Sequence, residues 1–64
     1  MNKDILDLAI THVLAIRHYE GEVYPSSVIE ACEAAKQTYA SSISITKLYI
    51  EVCEQMGLDF DPVD

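Results

Sequence analysis

The sequence predicts an all-α fold: three short helices in a small bundle, completed by homodimerisation. Apolar residues recur at i, i+3 and i+4 in three successive stretches, the spacing that lines one face of a helix. Residues that start or stop helices bracket those stretches: Asn2, Gly21, Pro25, Ser27, Ser44 and Gly57. The half-hydrophobic composition gives a chain of only 64 residues more apolar surface than so small an interior can hide. A second copy or a larger partner is the economical cover.

The first helix is expected over residues 3–20. Asn2 suits the N-cap, and Asp4 falls in the first turn, where the helix dipole favours negative charge. Gly21 ends it. By helical period Leu8, Ile5, Ile16, Ala9, Val13, Leu6 and Ile10 form one wide apolar arc, opposite Lys3, Asp7, Thr11, His18 and Asp4. One neighbour cannot cover an arc so wide, so this helix is expected to be packed from two sides. A homodimer would supply the second side, with Leu6, Ile10, Val13, Ile16 and His12 as the expected contacts.

The second helix is expected over residues 27–40. Pro25 keeps Tyr24 out of the α conformation and marks a boundary. Ser27 and Glu30 match the capping box S-x-x-E. Val28, Ala31, Cys32, Ala35 and Tyr39 make a narrow seam rich in Ala, suited to close helix contact. The third helix is expected over residues 44–56, with Ser44 as N-cap. Its seam is Ile45, Leu48, Tyr49, Val52, Cys53 and Met56, with Lys47, Glu51 and Glu54 on the far side. The alternation in residues 43–46 also fits a short extended piece. Gly57 is a C′ signal, after which Leu58 would fold back on Cys53 in a Schellman motif. Residues 1–58 read as one domain and residues 59–64 as a flexible acidic tail.

Net charge is −7, with 11 acidic and 4 basic residues. Nucleic-acid binding depends on Lys and Arg neutralising phosphates, and Lys3, Arg17, Lys36 and Lys47 are scattered. Direct nucleic-acid contact and docking on an anionic membrane are disfavoured; a basic protein surface is the expected partner. No run of 18 apolar residues offers a membrane span. Two cysteines without an export signal read as reduced thiols in a cytoplasmic protein.

No metal, cofactor or catalytic residue is expected. His12 and His18 lie six positions apart, on different helix faces, and Cys32 and Cys53 have no close second ligand, so zinc spacing is lacking. A Cys–His nucleophile would need a third orienting group that no motif supplies, and a chain this short has little room for a pocket of ~300 Å³. His12 falls within the apolar arc as a half-buried histidine; read as a switch, its protonation would weaken assembly.

Tyr19 and Tyr24 flank the first connection. They are expected to pack against the bundle, the alternative being an exposed aromatic patch with Val23. Together with Glu20, Glu22, Glu51 and Glu54 they are the candidate partner contacts, since Tyr is enriched at interfaces. Tyr39 and Tyr49 are expected in the core. Residues 46–59 resemble the first helix and turn of helix-turn-helix proteins. That family would imply a recognition helix in the major groove, but too little chain follows, and helix three in that role would present Lys47 against Glu51 and Glu54. Two functions therefore stand at this level. The first is a small acidic protein-binding factor, an adaptor, inhibitor or accessory protein comparable by size and charge with nucleic-acid mimics of phages and mobile elements. The alternative is an oligomeric helix-turn-helix-like nucleic-acid-binding regulator.

Overall fold

The computed structural model describes residues 3–60, which form α1 (Lys3–Glu20), α2 (Pro25–Thr38) and α3 (Ile45–Met56) with no strand among them. Asn2 lies outside the described residues. Each helix packs on the other two. Ile5, Ala9 and Val13 of α1 meet Val28, Ala31, Cys32 and Ala35 of α2 and Leu48, Tyr49, Val52 and Cys53 of α3 in one core. Tyr49, the largest fully buried side chain, and Leu48 fill its centre; burial of one such side chain contributes about 1.5–3 kcal/mol. The two-sided packing of α1 is thus met inside one chain, by α2 and α3.

The three helices end alike. Gly21 takes φ +83° and its N–H donates to the Arg17 carbonyl at 2.9 Å, the single bond of an αL cap. At the end of α3 the expected Schellman motif is present. Gly57 has φ +68°, its N–H donates to the Glu54 carbonyl, and the Leu58 N–H donates to the Cys53 carbonyl at 2.8 Å. The end of α2 repeats that motif without a glycine: Ala40 has φ +48°, its N–H donates to the Gln37 carbonyl, and Ser41 N–H donates to Lys36 at 3.0 Å.

Helix starts divide into one expectation met and one corrected. Ser44 caps α3 by accepting from the Lys47 N–H at 3.4 Å. The start of α2 lies earlier than the capping-box spacing implied. Pro25 occupies the first helical position, where its missing N–H costs nothing. Ser27 is therefore the third residue of the helix, and its Oγ accepts from the Tyr24 N–H at 3.2 Å. The hydroxyl plays the return half of a capping box, and Glu30 has no part in it.

Tyr39 is also corrected: it is 46% exposed rather than in the core. The helical period aims it inward only if α2 continues, and α2 stops at Thr38, leaving Tyr39 as the C-cap. Phe60, assigned to the flexible tail, packs partly buried against the core; residues 61–64 lie outside the described residues. None of residues 14–20 in α1 is buried, so the last two turns, about 10 Å of helix, run clear of the core.

Candidate functional site

The exposed end of α1 and the connection to α2 form one corner. Gly21 turns the chain, Val23 tucks half-buried against the core, and Tyr24 is extended at φ −109°, ψ 162°, ahead of Pro25. The side chains on either side of this anchor point outward. Tyr19 is 84% exposed and Tyr24 56%, so the expectation that they pack against the bundle is overturned; Val23, the third residue of the alternative patch, packs half-buried on the core. The physical reason is local. Val23 is the residue of the connection that packs on the core, and α1 carries Tyr19 beyond its last buried residue, Val13.

The corner is ordered by contacts of its own. The Tyr24 phenol donates a short hydrogen bond to the Glu22 carboxylate. That bond is the main reason the Tyr24 pKa is raised, with desolvation and the negative charge of Glu20 adding to it. The Tyr19 ring meets the His18 ring edge-on, with centroids 5.2 Å apart, a favourable aromatic geometry. Tyr24 thus stands with Glu22 and within reach of the Glu20 charge, and Tyr19 stands beside His18 at the end of α1. Glu51 and Glu54 stand on α3, with Glu54 exposed and Glu51 half-buried.

The expected oligomer contacts are scattered by the fold. Val13 is 0% exposed and belongs to the chain's own core, so it has no surface to offer a second copy. Leu6 and Ile10 are half-buried against that core, and Ile16 and His12 are half-buried. Leu14, outside the apolar arc, is 42% exposed. It follows Leu6 and Ile10 at i, i+4, i+8, a spacing legible in the sequence.

Reactive chemistry finds little foothold. Cys32 and Cys53 are free and buried. Burial pushes the Cys32 thiol up to about 12. Burial also raises Cys53, against a hydrogen bond with Tyr49 that works the other way. The thiolate is the nucleophile, so neither sulfur is poised to attack. No cluster of three or more His, Cys, Asp or Glu that could hold a metal occurs among the described residues. A groove of about 540 Å³, broadly open to solvent, is lined by Glu33, Lys36, Gln37, Ala40, Ser41 and Ile45. It exceeds the room expected for a pocket because it lies on the surface, outside the core.

After Gly57 the described chain, Leu58 to Phe60, is not helical, so no recognition helix follows α3 there. No helix of the described residues is long and apolar enough to cross a membrane. Comparison of the chain with protein-family models, with curated proteins and with solved structures finds no match.

Proposed function

We propose that this chain is a small acidic protein-binding factor, an adaptor, inhibitor or accessory protein that acts by non-covalent contact and not by catalysis. The observation that carries this reading is the corner where Tyr19 and Tyr24 stand in solvent beside Glu20 and Glu22. Tyrosine offers contact area at low entropic cost, and the carboxylates give the patch a sign. Within a net charge of −7, that sign favours a partner with a basic surface and repels nucleic acid. In this reading the chain works as a homo-oligomer in the cytoplasm, where its thiols stay reduced.

The test is affinity capture with the tagged chain, comparing wild type with two double variants, Tyr19→Ala/Tyr24→Ala and Glu30→Lys/Glu33→Lys. A partner retained by wild type and by the α2 variant, and lost from the corner variant, supports the reading. Binding lost equally in both variants, or retention of the chain on heparin at moderate salt, would overturn it.

A further inference from the structure

We propose that two copies of the chain pair antiparallel along the outer ridge of α1, with Leu6, Ile10 and Leu14 in contact and Asp7 of each copy facing Arg17 of the other. The proposal rests on the self-association stated above and adds the face and the orientation. Leu6, Ile10 and Leu14 follow one another at intervals of four, one of the rows along which helix surfaces interlock. Leu6 and Ile10 lean on the core with part of each side chain outside, and Leu14 is 42% exposed. The row therefore runs from the edge of the core into solvent. Both other helices of the chain are already spent on the inner face of α1.

Charge selects the occupant. Copies of a chain of net charge −7 repel one another, so they can meet only where acids and bases balance. Exposed carboxylates stand at the corner and on every helix, Asp4, Asp7 and Glu20 among them on α1, but by helical period only Asp7 borders the ridge. Two of the four cationic residues, Lys3 and Arg17, are exposed on α1, and by helical period both fall beside the ridge. Charge also selects the direction. Parallel copies would oppose Asp7 to Asp7 and Arg17 to Arg17. Antiparallel copies centred on residue 12 oppose Asp7 to Arg17 at both ends and Ile10 to Leu14 between them, with Leu6 level with His18 of the other copy, the self-complementary pattern a two-fold dimer requires. Val13 is inside the core, and Ile16 and His12 lie on the far side of α1 from the ridge by the same period, so none of the three takes part.

The experiment is analytical ultracentrifugation of the full chain at micromolar and millimolar concentration, with circular dichroism to confirm that each variant keeps its helices. Wild type is expected to form a dimer. Leu14→Glu should weaken dimerisation by roughly tenfold or more, as a charge buried against an apolar row does. Asp7→Arg and Arg17→Asp should each weaken it by roughly tenfold, and the two combined should return it to within about threefold of wild type. A chain still monomeric at millimolar concentration would overturn both the pairing and the self-association beneath it. A dimer indifferent to Leu14→Glu, or a charge swap without rescue, would overturn the antiparallel ridge and leave self-association standing.

Discussion

Ala40 and Gly57 occupy equivalent places in two copies of the same helix-ending motif, at φ +48° and +68°. The left-handed region costs a residue with a Cβ about 1–2 kcal/mol, a cost glycine escapes. Nothing lies within 4 Å of a Cβ built on Gly57, so the penalty there is purely conformational. Ala40→Gly should stabilise the chain by about 0.5–1 kcal/mol and Gly57→Ala should destabilise it by about 1 kcal/mol. Urea melts of the two variants check this; loss of stability in Ala40→Gly would mean that Ala40 contributes contacts outweighing its strain. Cys32 carries a second prediction. Its folded value of about 12 lies above its ordinary 9.0, so the unfolded thiol ionises first as pH rises. The stability it contributes is complete below about pH 9 and declines between there and about pH 12. The alkaline fall in melting temperature should be shallower in Cys32→Ala than in wild type. An equal fall in both would show that other groups govern it. At the core, Val13→Asp should abolish helical circular dichroism, because it buries a charge with no partner.

At the scale of the helix, α3 was the most legible element because its signals are unambiguous. Ser44 has a hydroxyl where an orphan N–H needs one, Gly57 has no Cβ where the chain must turn left-handed, and four seam residues between them are buried. Ser44→Ala should cost about 1 kcal/mol, measured by the same melts; no loss would make the 3.4 Å bond to Lys47 energetically empty. The bounds of α2 were harder to read for reasons now visible. Two start signals, Pro25 and Ser27, stand two positions apart, and each has a legitimate place in a first turn: proline at its first position and serine at its third. Its end carries no glycine at all, so the pattern ran on to Tyr39 and drew that ring into a core it does not enter. The inner face of α1 was legible from Ile5, Ala9 and Val13. Which edge of its wide arc stays wet was not, because periodicity records a face and not where its neighbours stop.

At the scale of the molecule, α1 with 18 residues outruns α2 with 14 and α3 with 12. The surplus is at its C-terminal end, where none of residues 14–20 is buried. In dilute solution, where the chain is monomeric, amides in those turns should exchange with solvent by local opening well before those around Ala9; hydrogen exchange resolved by residue checks this, and protection of residues 14–17 that appears only at high concentration would mark cover by a second copy. The candidate corner was legible as a set of residues, Tyr19, Glu20, Glu22 and Tyr24, but its exposure was not. That depended on Val23, and neither tyrosine, packing on the core, a matter of shape that neighbouring letters do not encode. The phenol of Tyr24 bonded to Glu22 gives this corner an optical signature. The chain has four tyrosines and no tryptophan, so tyrosinate absorbance in the near ultraviolet is unobscured. Tyr24 holds its proton to higher pH than a free phenol because Glu22 and Glu20 face it. A cation docking on those carboxylates would release that proton earlier, so an alkaline titration followed in the near ultraviolet would register the arrival of a partner without any label.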